Sequence, residues 1–292
     1  MKQKISASSV FMSGAARFKD LIYLVTRDKK LDAEEVDHSR FIAFDQGKLG
    51  HMGDFNWNTA AVCVARKPAE KFVAVGEDGE VFTFVAGKEA LETISPKPIA
   101  LRGVGVVDGY PVACGMKRQV YRRAGEGTWT AMHAPSPEGK NHGFEDIGGF
   151  GGNEMYAAGW KGEIWEWDGK KWHNRPSPTN LILTGICCAG DGQVYICGQN
   201  GTLIRGRHDT WEVVDLDPLK KDFWDIHWFN DRLYLATMTG LFTLGSSGPE
   251  PVDFGAEAPS TCYRLTDAQG VLFSVGSADV FSFDGSIWKR ED

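Results

Sequence analysis

Phe72–Phe84 reads FVAVGEDGEVFTF: an apolar strand ending in glycine, a short polar turn, then a second strand. The same phrase returns as PVACGMKRQVYRR (Pro111–Arg123), MYAAGWKGEIWEW (Met155–Trp167) and VYICGQNGTLIRG (Val194–Gly206). Looser copies are LYLATMTGLFTLG (Leu233–Gly245) and LFSVGSADVFSFD (Leu272–Asp284). The anchors Gly76, Gly115, Gly159, Gly198, Thr237 and Gly276 are spaced 39, 44, 39, 39 and 39 residues apart. LIYLVT, ending at Thr26, supplies a further anchor 50 residues before Gly76.

Two more features share this period. A tryptophan follows the anchor by 12 to 14 residues at Trp129, Trp172, Trp211 and Trp288. A proline then closes the unit at Pro96, Pro137, Pro178, Pro218 and Pro259, spaced 41, 41, 40 and 41. Proline cannot donate to a sheet ladder, so it suits the link that leaves an outer strand. Within one unit, strands are expected at 184–190, 193–198, 202–207 and 210–215, separated by the hairpin signals AGDGQ and QNGT. No segment carries a sustained helical period, so almost no helix is expected.

Units of about 42 residues with four strands each are the signature of a propeller. The expectation is therefore an all-β chain: a single seven-bladed β-propeller of four-stranded antiparallel blades over residues 1–292. Approximate blade limits are 8–53, 54–98, 99–139, 140–179, 180–219, 220–259 and 260–292. The first strand of each unit should lie innermost. Its copies TAAVCVA, GVGVVD, DIGGFGG and TGICCAG are rich in small residues, which relieve crowding at the axis. SIWKRED should close the last blade, and MKQKIS is a candidate extra edge strand.

Composition narrows the function. The net charge of −7 speaks against nucleic acid, which needs clustered Lys and Arg. It also speaks against an anionic membrane surface and suits a basic partner. No apolar run reaches membrane-spanning length, and the N-terminal stretch lacks a signal-peptide core, so a cytoplasmic location is expected. Cys63, Cys114, Cys187, Cys188, Cys197 and Cys262 sit in apolar runs with no CxxC pair, which reads as buried free thiols rather than a metal site. No HExxH, GxSxG or P-loop is present. GVGVVDG (Gly103–Gly109) leads into a strand rather than a helix, against a dinucleotide site. DLDPLKKD (Asp215–Asp222) lacks the glycine and glutamate of a calcium loop. No cofactor, metal or catalytic constellation is expected.

The repeat resembles those of photosystem II assembly factors and of sialidase-type Asp-box propellers. WDGKKW (Trp167–Trp172) and SFDGSIW (Ser282–Trp288) look like shortened Asp boxes, which stabilise turns. A sialidase resemblance would imply three arginines, a tyrosine nucleophile with a glutamate, and an aspartate acid/base. Arg102, Tyr263 and Arg264 stand at inner-strand starts, but the Arg-Ile-Pro segment is missing. A fold-level likeness of this kind specifies architecture rather than activity.

A ligand is expected on the face that carries the links between blades and the strand-two-to-three turns. Two decorations fall there: TRDKKLDAEEVDHSR (Thr26–Arg40) and HAPSPEGKNHGFED (His133–Asp146). Phe55, Asn56 and Phe223 also precede inner strands, and the partner-binding set is Trp57, Arg102, Phe144, Glu145, Asp146, Trp224, Asp225, Tyr263 and Arg264. Aromatics beside charges are typical interface anchors. His227 is expected at the channel, held by a hydrogen bond. The functional expectation is a non-catalytic protein-binding propeller: a bacterial inhibitor or immunity protein for a basic toxin or nuclease, or an assembly factor. The alternative is a carbohydrate-binding or sialidase-like propeller with a deep axial pocket.

Overall fold

A computed structural model describes residues 5–137, 142–245 and 248–292. MKQKIS therefore lies almost wholly outside the described residues, and the expected edge strand with it.

Seven four-stranded antiparallel sheets follow one another along the chain. Their innermost strands are Ser9–Phe18, Thr59–Ala65, Leu101–Val107, Phe144–Gly151, Leu183–Cys188, Phe223–Phe229 and Arg264–Ala268. Each blade is contiguous in sequence, running from this inner strand to an outer one such as Thr210–Val213 or Trp288–Arg290. The expected strands of the fifth unit appear as Leu183–Cys188, Val194–Gly198, Leu203–Arg207 and Thr210–Val213. The helical content is the single-turn helix Lys29–Ala33 and three 3-10 turns. The fold is the expected seven-bladed β-propeller.

The core is divided into seven clusters of buried apolar residues, one at each blade interface. Tyr23, Phe41, Phe72 and Phe82 fill the seam between blades one and two. Phe11, Ile22, Phe273 and Val280 fill the seam between blades seven and one. The outer-strand tryptophans belong to these seams. Trp172 packs toward blade three and donates its indole N–H to Met132 O at 2.6 Å. Trp129 reaches back to Glu92 of blade two at 3.4 Å. The periodic tryptophan is thus a wedge against the preceding blade.

Among the described residues the ring closes without exchanging a strand. There, blade one and blade seven meet through their apolar seam and three direct hydrogen bonds. These run from Phe11 N to Ser277 O at 3.0 Å, Ala16 N to Thr266 Oγ1 at 3.1 Å and Lys19 N to Gln269 Oε1 at 3.3 Å.

Small residues at the axis have a steric cause. A Cβ added at Gly105 would lie 2.1 Å from Ile147 O of the next blade's inner strand. The anchor glycines have a similar one: at Gly159 a Cβ would lie 2.1 Å from Gly143 O. Both contacts are with main chain, which cannot rotate aside. Gly105→Ala is therefore expected to cost about 2–3 kcal/mol through overpacking, read as a lowered urea midpoint with an unchanged m-value.

Candidate functional site: the rim of the axial channel

Pairing between the first and second strands slips by one residue at the same place in six blades. The residue opposite the anchor and the next paired residue flank one unpaired position. The unpaired residues are Met12, Ala60, Arg102, Glu145, Thr184 and Trp224. In blade seven, Tyr263 occupies the equivalent place, its N–H donating to Val275 O at 3.1 Å. A β-bulge re-aims the side chain it carries. Here each bulge stands where a link enters the inner strand, so the seven residues form a ring at one mouth of the axial channel.

Position relative to the bulge decides the fate of each expected site residue. The residue before it faces the seam: Leu101, Phe144, Leu183 and Phe223 are fully buried. Phe144 is accordingly a core residue that packs on Trp172, and it is not on the binding face. Trp57 is also buried, in contact with Phe41 and Phe55 of blade one. The bulge residues Arg102, Glu145 and Trp224 reach the mouth, with Arg102 Nε 3.7 Å from Glu145 Oε1. Glu145 also accepts from the Trp160 indole. Trp224 is 38% exposed and meets Tyr263 edge-on at 5.9 Å between ring centres. Arg264 Nη1 donates to Trp224 O at 3.1 Å. Met12, exposed to 43%, also belongs to the ring; sequence reasoning missed it because the first repeat is the most degenerate.

Immediately after the bulge, two carboxylates serve as struts between blades. Asp146 accepts from its own neighbour Ile147 N at 2.8 Å and from Ile186 N of blade five at 2.9 Å. Asp225 repeats the arrangement, accepting from Ile226 N and from Leu265 N of blade seven, both at 2.8 Å. Gly103 and Gly185 hold the same position in the blade before each strut, where a Cβ would lie 3.2 Å from Asp146 Cα and 3.4 Å from Asp225 Cα. Both groups face a channel cavity of about 480 Å³ that is also lined by Arg102, Glu145 and Arg264. His227 lines it too and bonds Asp267 Oδ1 at 2.8 Å, as expected of a hydrogen-bonded histidine.

The two decorations frame the same face. In the first, the Lys29–Ala33 helix is capped by Asp28, whose side chain accepts from Lys30 N at 2.8 Å. His38 accepts from Asp28 N and donates through Nδ1 to Val36 O, both at 2.7 Å, so its neutral Nδ1–H tautomer pins the loop. Glu34, Glu35 and Val36 are left exposed at its tip. The second decoration lies partly outside the described residues. Its two ends are held by Arg118, which donates to Pro135 O and pairs with Glu163, and by Lys117 N donating to His142 O.

The two segments that resemble shortened Asp boxes occupy strand-three-to-four turns on the opposite face. Asp168 Oδ1 accepts from Lys170 N and Lys171 N, and Asp284 Oδ1 from Ser286 N and Ile287 N, which locks each turn. One trio with metal-ligand character occurs among the described residues: Glu154, Glu166 and His208, with ligand atoms within 4.8 Å of one another. Arg207 holds Glu154 at 2.7 Å and Arg175 holds Glu166 at 2.7 Å. A cation there would have to displace both guanidinium groups. All six cysteines are free thiols, and burial pushes Cys63 and Cys187 up to about 12. No helix of the described residues is long and apolar enough to cross a membrane.

Fold and channel place the chain among seven-bladed propellers that carry a ligand-sized axial cavity. Virginiamycin B lyase from Staphylococcus aureus superposes with a TM-score of 0.76 at 11% identity, over 94% of each chain. YCF48 bound to D1 peptide superposes at 0.68 and 15% identity, over 94% of this chain and 91% of that one. These likenesses are of fold alone. No family profile matches the chain. Over its whole length, and the whole of the relative's, it is 42% identical to the immune protein Tsi7 of Pseudomonas aeruginosa. The chain belongs to the Tsi7 immune-protein family.

Burial pushes the Asp146 carboxyl up to about 7, with the neighbouring Asp225 charge as the second cause. Burial also raises Asp225, against the pull of Arg264. A carboxyl raised on folding contributes stability that is fully present below its unfolded pKa of about 4 and is lost as pH climbs through the folded value. The Asp146 carboxyl ¹³C resonance is expected to titrate with a midpoint near 7; a midpoint near 4 would contradict the burial of this carboxyl, since its two N–H contacts pull the other way. Asp146→Asn should show a smaller loss of stability between about pH 4 and pH 7 than the parent chain.

Proposed function

We propose that this chain is an immunity protein that binds a toxin and holds it inactive through the bulge-bearing face of the propeller. The full-length 42% identity to an immune protein carries the reading. The geometry supports it in a second way. Arg102, Glu145, Trp224, Tyr263 and Arg264 crowd one mouth of the channel, with the struts Asp146 and Asp225 just behind them. The scaffold beneath is seven rigid sheets, so little conformational freedom is lost on docking. Aromatic and arginine side chains on such a support are the residue types that dominate protein interfaces.

The chain's net charge of −7 fits a basic toxin, met before it reaches its own target in the cytoplasm. Free, unreactive thiols suit that reducing compartment. The carbohydrate-directed alternative needs channel acids free for chemistry, whereas Asp146 and Asp225 each already hold two main-chain N–H groups.

The test is protection. The polypeptide encoded beside this chain's gene is expressed in a susceptible bacterial host with and without the chain. Growth restored by the chain, with both proteins eluting as one complex, is the expected result. Loss of growth despite soluble expression of the chain would refute the reading. Tyr263→Ala should weaken the complex by about 2 kcal/mol, measured by calorimetry, with an unchanged melting temperature.

A further inference from the structure

Three side chains of the bulge ring are left largely unspent on the fold: Met12 and Trp224 are exposed and Arg102 has no close partner, whereas Thr184 Oγ1 donates to Phe223 O at 2.7 Å, Glu145 accepts from Trp160 and Ala60 packs on a seam. The residue before the bulge fills a seam in most blades, as Phe11, Leu101, Phe144, Leu183 and Phe223 do, and the one after it is a glycine, a strut or a channel-lining residue. The unpaired residue keeps no place in the ladder, so its chemistry can change without loss of a ladder hydrogen bond. The observed chemistry is accordingly mixed. Blades six, seven and one present Trp224, Tyr263 and Met12. Blades three and four present Arg102 and Glu145. Small residues, Ala60 and Thr184, stand between the two groups.

We infer that this ring is the surface that reads the partner's identity, and that it receives a protruding loop of the toxin at the mouth of the channel. The inference rests on the immunity reading and adds to it the geometry and chemistry of the partner. The loop sets an apolar side chain on the arc formed by Met12, Trp224 and Tyr263. It also offers a hydrogen-bond acceptor, a carboxylate or a carbonyl, to Arg102.

Four observations carry this. Met12 and Trp224, both large apolar side chains, remain 43% and 38% exposed at the mouth. Arg102 is unsaturated: its enclosed Nε makes no hydrogen bond, and the nearest carboxylate, Glu145, lies 3.7 Å away and is engaged by Trp160. The cavity of about 480 Å³ behind the ring gives a loop tip depth to enter. The exposed Glu34, Glu35 and Val36, in the strand-two-to-three loop of blade one on the same face, add an acidic edge, which selects a loop flanked by basic residues.

Binding of the purified neighbouring-gene polypeptide is measured by titration calorimetry against the full chain and three variants. Met12→Arg places charge on the apolar arc, and Trp224→Ala removes its largest side chain. Ile287→Arg alters a residue on the opposite face that is exposed to 69%. Thermal melts establish that all three fold like the parent; their substituted residues are solvent-exposed, so melting temperatures should agree. The first two should each weaken binding about tenfold or more, and Ile287→Arg by less than about twofold. A parent chain that binds while Met12→Arg and Trp224→Ala bind equally well overturns the ring and leaves the immunity reading standing. The same holds if Ile287→Arg alone loses affinity. A parent chain that does not bind overturns both.

Discussion

Seven strands must meet around one axis, and the main chain of each has to pass within contact distance of the next. That crowding governs the rest of the molecule. It excludes a Cβ at Gly105, where the carbonyl of Ile147 already stands, and at Gly159, where that of Gly143 does. Because side chains are expelled from part of the inner ring, the few that remain acquire unusual freedom to reach across it. Asp146 and Asp225 each reach forward to the next blade, and a glycine stands at the matching position of the blade behind each of them. Two carboxylates thereby do the work of ladder hydrogen bonds between sheets that share no ladder. The cost is visible in their raised proton affinity.

The same crowding accounts for the way the ring closes. Here each blade is made from one stretch of chain, and among the described residues no strand exchanged between first and last blade holds the circle shut. Closure depends on the apolar seam around Phe11 and Phe273 and on a handful of main-chain contacts. This seam is of the same kind as the other six, each with its own cluster of large buried side chains. A propeller built so is as strong at the join as elsewhere only if blades one and seven fit as well as any other pair. The buried wedge of apolar side chains, rather than hydrogen bonding, sets that fit.

How much of this the sequence shows depends on whether a feature repeats. The 39-residue period, the anchor glycines, the wedge tryptophans and the closing prolines recur, and together they specify seven four-stranded blades. The bulges recur in space but not in letters, because the unpaired residue is Met, Ala, Arg, Glu, Thr or Trp in turn. Without the bulge in view, Phe144 and Glu145 look equally placed to face a partner. A slip of one residue exchanges the two faces of a strand, so Phe144 enters the seam and Glu145 the mouth. A signal was present: Leu101, Phe144, Leu183 and Phe223 form a column of large apolar residues through four repeats, which marks a core position. Other contacts leave no such trace. Glu92 in KEALET reads as an outer-strand surface residue, yet it is buried and paired with Arg123 across the seam between blades two and three. Only the approach of two blades brings that pair together.

The division of labour around the bulge also says why a propeller suits an immune protein. Recognition needs side chains that can be replaced as a partner changes, on a support that does not move when they are. Here the residue before the bulge is committed to packing, and the one after it to the axis. Among the bulge residues, Met12, Arg102 and Trp224 are committed to neither. Their backbone is held where an inner strand pairs with its second strand, while the side chains of Met12 and Trp224 stay exposed. Affinity placed on such residues can be large because their backbone is already ordered before the partner arrives. Specificity can be retuned one blade at a time, since neighbouring ring positions belong to separate sheets. In the proposed reading, the fold keeps stability and recognition on adjacent residues of the same strand without letting either constrain the other.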